Sequence, residues 1–332
     1  MDALELLRRI EGVGVLCVGD IMVDRYIYGQ ATRISPEAPV PVVRVKKRLI
    51  MPGGVGNVVK NLGALKTTPL SVSITGDDHR AEQLKGLFRE AWLPEPCFIT
   101  DPGRPTSVKT RLVAGIQQVV RYDEEEDGPI EGPVAEAFIE AVRQTLPRVG
   151  AVALSDYGKG ALPAPVIKEI ISLARAAGRP VVVDPKGADY QRYQGVNLVT
   201  PNRAELSEAA GRKVETTPEL EAAGREVMTR CGLENILVTL SEDGMMLLTS
   251  DKPRPVLLPS QARAVFDVSG AGDTVVAVMT AALAVGAPLV VGARLANLAA
   301  GVVVGKVGTA TASPWEIAEW AAECQMGEAR DG

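Results

Sequence analysis

Short apolar runs rich in β-branched residues alternate along this chain with longer amphipathic segments, and this rhythm limits the fold more than any other feature. Strands that alternate with helical patterns indicate a mostly parallel sheet with helices on both faces, a three-layer α/β fold. The predicted strands are Val13–Val18, Leu70–Thr75, Ala151–Ser155, Pro180–Asp184, Asn197–Thr200 and Ile236–Leu240. The predicted helices between them lie near Arg80–Trp92, Val134–Leu146, Pro163–Ala177 and Pro218–Cys231.

Two segments follow a different period. Residues 39–48 and 107–122 alternate apolar and polar side chains, with a turn predicted at Ala114-Gly115. Alternation of period two is typical of strands with one wet face. We expect a small β-lid over one edge of the main domain, formed by segments near 25–51 and 100–127. A lid with one exposed apolar face favours a homodimer, since two-fold pairs are the commonest closed assembly.

The end of the chain is richer in alanine and valine. Residues 272–285 and 288–304 are predicted to form buried helices. Ser313 and Pro314 suit the N-cap and the first position of a further helix that extends to Glu323. Residues 1–325 are therefore predicted to form a single domain, followed by a frayed tail at 326–332.

Composition excludes several classes of protein. The formal net charge is -5 and the basic residues form no run, so no nucleic-acid surface is indicated. No signal peptide, membrane span or metal-binding cysteine pattern is visible, which fits a cytoplasmic protein. Cys17 is expected in the core, and the single histidine, His79, on the surface at a helix start. The acidic run Asp123–Asp127 is interpreted as a solvated turn.

One glycine-rich stretch carries the clearest chemistry. Residues 266–274 read FDVSGAGDT and directly precede the first alanine-rich helix. Small residues admit a ligand to the backbone, and the free N–H groups of a first helical turn bind anions. Gly270, Ala271 and Gly272 are predicted to form an anion hole for a transferring phosphoryl group. Asp273 beside it would accept the proton of an attacking hydroxyl. The alternative is that Asp273 only favours the helix start electrostatically.

Two further motifs join this stretch in a recognisable order. Residues 52–57 read PGGVGN, and residues 19–24 read GDIMVD at the end of the first predicted strand. Together with residues 267–274, they resemble the signatures of ribokinase-like, PfkB-type sugar kinases over roughly residues 10–320. The resemblance implies the ribokinase-like fold, ATP as the phosphoryl donor, and Asp273 as the catalytic base.

A narrower resemblance points to the heptose-7-phosphate kinases. It rests on residues 19–26, 33–42, 154–160, 184–187, 200–202 and 302–309. This resemblance implies transfer to O1 of D-glycero-β-D-manno-heptose 7-phosphate, which gives the 1,7-bisphosphate for ADP-heptose and lipopolysaccharide core synthesis. Members of this group often carry an adenylyltransferase with a His-x-Gly-His motif, which the single histidine excludes from this sequence. We expect that activity on a separate chain or in a part of the protein that this sequence does not include.

The resemblance also implies roles on the sugar side. Asp24 would accept hydrogen bonds from sugar hydroxyls, Gly53 and Gly54 would let the sugar lie against the backbone, and Asn57 offers a donor and an acceptor. The glycines are equally suited to a tight turn. Cations for a second phosphate, and acids that order them or contact hydroxyls, would come from strand ends and the lid; solvated loop lysines are the alternative. These candidates are Lys109, Arg121, Asp156, Lys159, Asp184 and Lys186.

On the nucleotide side, the resemblance implies that Asn202 and Glu205 hold Mg²⁺ through water, although the same pair suits a helix capping box. Asp267 and Ser269, with the backbone near Gly308, are candidates for a K⁺ site. Thr239, Ser241 and Gly244 would border the nucleotide, and Asn297 would approach adenine.

Two other functions stay open at this stage. The chain could be a ribokinase-like kinase for another sugar, sugar phosphate or nucleoside. It could also be a catalytically silent sugar-binding protein on the same fold, although the intact Asp273 motif argues against this. A nicotinamide oxidoreductase is excluded because no early glycine fingerprint is present.

Overall fold

The computed structural model describes residues 2–115, 117–262, 265–306 and 308–331. The strands are β1 (Gly14–Gly19), β2 (Ile21–Ile34), β3 (Pro41–Gly54), β4 (Thr68–Thr75), β5 (Cys97–Thr100), β6 (Val108–Ala114), β7 (Gln117–Glu124), β8 (Ala151–Ser155), β9 (Val181–Asp184), β10 (Leu198–Val199), β11 (Asn235–Thr239), β12 (Met245–Thr249) and β13 (Val256–Leu258). The helices are α1 (Ala3–Arg9), α2 (Val55–Ala64), α3 (His79–Glu90), α4 (Gly132–Thr145), α5 (Ala164–Ala176), α6 (Arg203–Ala210), α7 (Thr217–Cys231), α8 (Ala271–Ala284), α9 (Leu289–Val304) and α10 (Pro314–Asp331). Within these ranges, none of the helices combines the length and the apolar character needed to cross a lipid bilayer.

The larger sheet has the strand order β13-β12-β11-β10-β9-β8-β1-β4-β5. Its pairing is parallel from β5 through β1 and β8 to β11. The edge formed by β11, β12 and β13 is antiparallel, and the hairpin of β12 and β13 was not predicted. The expectation of a mostly parallel sheet is confirmed, and each predicted strand lies within about two residues of its predicted ends.

This sheet separates two apolar cores, which explains why its central strands carry apolar side chains on both faces. In β8, Val152 and Leu154 pack into the core that contains α4, α5, α6 and α7, whereas Ala153 packs into the core that contains α2, α8 and α9. Burial of apolar area on both faces, at about 25 cal/mol per Å², supplies the main favourable term in folding. Helices therefore cover both faces, as predicted.

A second, four-stranded sheet lies in the segments where the sequence predicted a lid, and we call it the lid sheet. Its order is β3-β2-β6-β7, with β2 parallel to β6 and the other pairs antiparallel. Strand β2 continues almost directly from β1, which sequence reasoning missed. Exposed apolar side chains of the lid sheet and its connecting turn are Ile34, Val40, Val45, Val120 and Tyr122.

The predictions for the last third of the chain are largely confirmed. Helix α8 is buried from Asp273 to Ala282, and α9 packs against it. Ser313 accepts a hydrogen bond from the amide of Glu316 (3.3 Å) at the start of α10. The helix continues to Asp331, where a frayed tail over 326–332 was expected, and residue 332 lies outside the described residues. His79 is exposed at the start of α3 and Cys17 is buried in β1, as predicted.

Candidate active site

The first turn of α8 presents the predicted anion hole. Gly270 precedes the helix with φ at 82°, a left-handed conformation that favours glycine. The amides of Gly272 and Asp273 lie ahead of the first intrahelical bond, which runs from the amide of Thr274 to the carbonyl of Gly270 (3.1 Å). A Cβ on Gly272 would meet nothing within 4 Å, so this backbone faces open space. The geometry leaves room for an anion against the helix N-terminus.

Asp273 is held by two side chains from distant parts of the chain. Asn57 Nδ2 donates to its Oδ2 (2.7 Å), and the hydroxyl of Tyr157 donates to its Oδ1 (3.0 Å). Burial raises the pKa of Asp273 to about 6, and these two hydrogen bonds oppose that rise. The charge of Asp24 raises the pKa further. A carboxylate with this pKa is ionised at neutral pH and is well matched to proton transfer.

Tyr157 was not identified from the sequence, although it lies in a segment that carries the narrower resemblance. Its loop is fixed by the buried carboxylate of Asp20, which accepts from the amides of Tyr157 (2.8 Å), Lys159 (3.1 Å) and Ala161 (3.0 Å). The carbonyl of Asp20 also accepts from the amide of Val55, at the start of α2 (2.9 Å). Asp20 therefore joins the Tyr157 loop to the base of the lid sheet.

The predicted sugar-binding residues lie where the lid sheet joins the larger sheet, next to Asp20. Asp24 is buried in β2 and forms an ion pair with Arg111 of β6 (2.5 Å), a partner that sequence reasoning missed. A Cβ on Gly53 would lie 2.2 Å from Asp24 Oδ2, so a larger residue there would displace the carboxylate. Gly54 has φ at 58°, and its Cβ would lie 2.3 Å from the carbonyl of Asp20. Both glycines are required by close approach as well as by the turn.

The interpretation of the acidic run Asp123–Asp127 as a solvated turn holds only for Glu126 and Asp127, which are exposed after the end of β7, and was wrong for Asp123 and Glu125. Lys109 contacts Asp123 (2.8 Å) and Glu125 (2.7 Å), and Glu125 also contacts Lys159 (2.6 Å). These three contacts join the lid sheet to the loop after β8 by shielded ion pairs. Two of the three candidate phosphate lysines, Lys109 and Lys159, are thus placed near each other, but each is already paired with a carboxylate. Arg121 is half exposed and contacts Asp123 (3.1 Å).

Asp156 and Asp184, at the ends of β8 and β9, differ in their contacts. Asp156 accepts from the hydroxyl of Tyr193 (2.7 Å) and pairs with Arg192 (3.1 Å). Asp184 lines a small cavity of about 170 Å³ with Lys186 and Asp273. Burial raises the pKa of Asp184 well above its usual range, and neighbouring acids add to that rise. Of the lysines that these acids were predicted to order, Lys186 lies in the same cavity as Asp184, whereas Asp156 contacts the side chains of Tyr193 and Arg192.

A larger cavity of about 1220 Å³ lies on the other side of Gly272. Gly272, Asn202 and Thr239 line both cavities, so the anion hole lies where the two meet. Asn297, which lines the larger cavity, donates from Nδ2 to the carbonyl of Pro259 (2.7 Å). All of the predicted nucleotide-side residues except Glu205 line this cavity: Asn202, Thr239, Ser241, Gly244 and Asn297.

The candidate metal residues are also placed near the anion hole. Asn202 and Glu205 form the capping box of α6, and Glu205 lines the small cavity. Glu205, Asp184 and Asp273 bring several carboxylates to that cavity, a donor set that suits hard Mg²⁺ bound through water. No group of three or more acidic, histidine or cysteine side chains with direct metal-binding geometry occurs among the described residues.

The candidate K⁺ residues form a compact turn. Asp267 accepts from the amides of Ser269 (2.9 Å) and Gly308 (3.0 Å), which brings the segment after α9 against the start of α8. These hydrogen bonds lower the pKa of Asp267, although partial burial opposes them. The carboxylate oxygens suit a monovalent cation, whose site here stays a prediction.

Comparisons with known proteins bear on this arrangement. A family model described as pfkB family carbohydrate kinase matches residues 14–316 of this chain. The bifunctional protein HldE of Paramagnetospirillum magneticum is 48% identical over 309 residues, which are 93% of this chain and 63% of that protein. HldE of Rhodospirillum rubrum is 48% identical over 306 residues, which are 92% of this chain and 62% of that protein. The chain thus spans just under two thirds of the length of these relatives.

Solved structures share the fold at lower identity. Arabidopsis thaliana ribokinase complexed with ribose and ATP has a TM-score of 0.73 and 20% identity, covering 93% of this chain and 98% of that chain. Phosphofructokinase-2 from Escherichia coli in complex with potassium has a TM-score of 0.77 and 20% identity, covering 94% and 99%. At this identity the likeness shows the ribokinase-like fold alone.

Proposed function

The chain belongs to the pfkB family of carbohydrate kinases, and on that premise we propose that it transfers the γ-phosphoryl group of ATP to O1 of D-glycero-β-D-manno-heptose 7-phosphate. The product is the 1,7-bisphosphate used in ADP-heptose synthesis. The single observation that carries the chemistry is Asp273, held by Asn57 and Tyr157 beside the open first turn of α8. The identity with HldE proteins supports the choice of sugar.

The proposed reaction uses the junction of the two cavities. ATP occupies the larger cavity and extends its phosphates toward Gly272, where the helix amides balance the charge that the transferred group carries. Asp273 removes the proton from the attacking hydroxyl as the bond to phosphorus forms and the bond to the departing ADP breaks. Mg²⁺, held through water by Asn202 and Glu205, would neutralise phosphate charge. K⁺ near Asp267 and Ser269 is a further proposed ion.

We propose that the sugar lies between Asp24, Gly53 and Asn57. In the lid sheet, Asp24 is the register partner of Lys109, so cations lie beside the proposed sugar site. Lys186 lines the small cavity, whereas Lys159, in the loop after β8, shares Glu125 with Lys109. These lysines and Arg121 are the proposed contacts of the 7-phosphate, which must compete with their carboxylate partners.

We also propose a homodimer through the lid sheet. Val120 and Tyr122 alternate with Arg121 and Asp123 along β7, so they lie on the face opposite the ion pairs, and both are exposed. A second copy would bury this apolar face. Sedimentation at micromolar concentration that shows only monomer would contradict the dimer. Intact-mass measurement of the protein from its own cells tests whether the adenylyltransferase is a separate chain, as expected above, or part of the same polypeptide, as the name of the bifunctional relatives suggests.

The function is tested by ADP release with Mg-ATP and a panel of sugars. Heptose 7-phosphate is compared with ribose, fructose 6-phosphate and sedoheptulose 7-phosphate, and Asp273→Asn is the control. Strong turnover on heptose 7-phosphate that is lost in the variant supports the proposal. Turnover confined to another sugar overturns the substrate. No turnover on any sugar favours the silent sugar-binding protein.

A further inference from the structure

A buried tyrosine hydroxyl joins the two loops that border the small cavity. Tyr193 ends a short 3₁₀ helix, Tyr190–Tyr193, which follows the loop after β9, and its side chain is fully buried. The hydroxyl donates to Oδ2 of Asp156 (2.7 Å), the first residue after β8. It also accepts from the amide of Lys186 (3.0 Å), two residues after β9. One hydroxyl therefore connects the ends of two neighbouring strands.

Asp156 extends this connection to the loop that carries Tyr157. Its Oδ1 atom accepts from the amide of Gly158 (2.9 Å), which closes a tight turn around Tyr157. Gly158 has φ at 66°, and a Cβ there would lie 3.6 Å from Cγ of Lys186, so the lysine side chain packs over this turn. Tyr157 in turn donates its hydroxyl to Asp273 (3.0 Å). One connected group of contacts thus fixes Lys186 and the hydrogen-bond partner of Asp273.

Lys186 is the one basic residue among those that line the small cavity in the described part of the chain. The acids that line the same cavity are Asp156, Asp184, Glu205 and Asp273. Gly272 of the anion hole also lines it, so a phosphate that enters meets a mostly acidic wall. A lysine ammonium is a compact charge on a flexible stem, and its position therefore depends on how firmly its backbone is held.

Tyr190 offers a comparison within the same short helix. It lies three residues before Tyr193, is equally buried, and the two rings meet edge to face with centroids 5.8 Å apart. The hydroxyl of Tyr190 has no hydrogen-bond partner among the described residues. Such a buried hydroxyl costs free energy, whereas the hydroxyl of Tyr193 satisfies a donor and an acceptor. The two tyrosines therefore share their packing and differ in what their hydroxyls hold.

We propose that Tyr193 is a positioning residue of the active site, whose hydroxyl holds Lys186 at the small cavity. Through Asp156, the same hydroxyl steadies the loop of Tyr157. Tyr193 lines neither cavity and acts only through the two loops that it joins. The effect on phosphoryl transfer rests on the proposed kinase function. The effect on the two loops does not, and it can be measured without substrate.

The first test is amide hydrogen exchange, measured by NMR in the substrate-free chain. Tyr193→Phe keeps the ring and removes the hydroxyl, and Tyr190→Phe is the matched control. In Tyr193→Phe, exchange at the amide of Lys186 should become about tenfold faster or more, because this amide loses its acceptor. The amide of Gly158 should show a smaller increase, because the carboxylate that accepts from it keeps its ion pair with Arg192 (3.1 Å). Unchanged exchange in Tyr193→Phe, or equal acceleration in both variants, overturns the proposal.

The second test is kinetic and uses whichever sugar the wild type phosphorylates. Tyr193→Phe should lower kcat/KM for that sugar about five- to tenfold and leave the KM for ATP within about twofold, because a displaced lysine spoils alignment. Tyr190→Phe should keep both values. A Tyr193→Phe enzyme that melts earlier but keeps its kcat/KM has lost only a structural contact, and the proposal then fails.

A double variant shows whether Tyr193 acts through the lysine. Tyr193→Phe combined with Lys186→Met should lose clearly less activity than the product of the two single losses, because both changes disturb the same side chain. Losses that multiply fully overturn the positioning role. Wild type that turns over no sugar contradicts the proposed function, while hydrogen exchange still decides the effect on the loops.

Discussion

The two sides of the anion hole are built differently. On the nucleotide side, Thr239, Ser241 and Gly244 border an open cavity of about 1220 Å³. On the sugar side, Asp24 pairs with Arg111, and the lysines at 109 and 159 share Glu125. Under the proposed function, nucleotide binding would mainly fill a preformed volume. Binding of a sugar phosphate would instead replace ion pairs within the protein, which would favour selectivity for an anionic sugar.

The residue between the two sides gives the largest expected effect. Asp273→Asn should lower kcat about 10²- to 10⁴-fold, because the proton acceptor is lost. It should also stabilise the fold, since asparagine can accept from Asn57 and donate to Tyr157 without a buried charge. The folded pKa of about 6 lies above the ordinary 3.8, so ionisation of Asp273 reduces stability as pH rises through that interval, and the full cost is present at pH 7.

Removal of that cost predicts a gain of about 2 to 3 kcal/mol in the free energy of unfolding at pH 7. Urea denaturation of wild type and variant at pH 7 and pH 4 measures it, and the gain should shrink at pH 4. A variant that is less stable than wild type at pH 7 would show that Asp273 is a structural acid.

The sugar side is tested next, with two register neighbours in the lid sheet. Arg111→Met leaves Asp24 buried without its partner, which should cost about 2 to 4 kcal/mol of unfolding free energy and raise the KM for the sugar. The matched control is Arg121→Met on β7, opposite Arg111, where the half-exposed ion pair is worth about 1 kcal/mol or less. Equal losses of unfolding free energy in the two variants would show that the burial of Asp24 does not depend on its ion pair with Arg111.

Loss of the Tyr157 hydroxyl should have a smaller effect on activity, and this effect should depend on pH. Its hydrogen bond lowers the pKa of Asp273, so Tyr157→Phe should raise that pKa above about 6. Because the base must be ionised, activity is lost as pH falls through the pKa. The variant should therefore lose several-fold in kcat/KM near pH 6 and recover toward wild type at pH 8. A uniform loss across the pH range would indicate a packing role instead.

The nucleotide side gives the smallest expected effect. Ser241 has φ at 54°, which is strained for a residue with a Cβ, and it borders the large cavity. Ser241→Gly should raise the free energy of unfolding by about 1 kcal/mol and leave the KM for ATP within about twofold, if this side is preformed. A marked rise in that KM would show that the serine hydroxyl binds nucleotide, and the contrast between the two sides would weaken.

The sequence predicted what depends on local pattern. Strands β8 and β9 follow from apolar runs, and the hole at Gly270 follows from small residues that precede an apolar helix. The missed features depend on contacts between distant segments. Tyr157 reaches Asp273 across more than a hundred residues, and Arg111 reaches Asp24 across the lid sheet. No local signal encodes such pairs.

The acidic run at 123–127 also shows that local sequence pattern cannot give contacts between distant segments. Five consecutive acids indicate solvent exposure by composition, but Asp123 in β7 pairs with Lys109 of β6, and Glu125, just after β7, pairs with Lys109 and Lys159. The register of β6 with β7, which places Lys109 opposite Asp123, decides the outcome. Register is set by the whole sheet, so a short window of sequence cannot give it.

Asp20 has a mechanical consequence. Its carboxylate fixes the loop of Tyr157, and its carbonyl holds the amide of Val55, where β3 passes into α2. Asp20 is also the residue between β1 and β2, the point at which the chain leaves the larger sheet for the lid sheet. The junction of the two sheets and the loop that carries the hydrogen-bond partner of Asp273 are therefore held by the same residue. A change at Asp20 would disturb the lid sheet and Asp273 together.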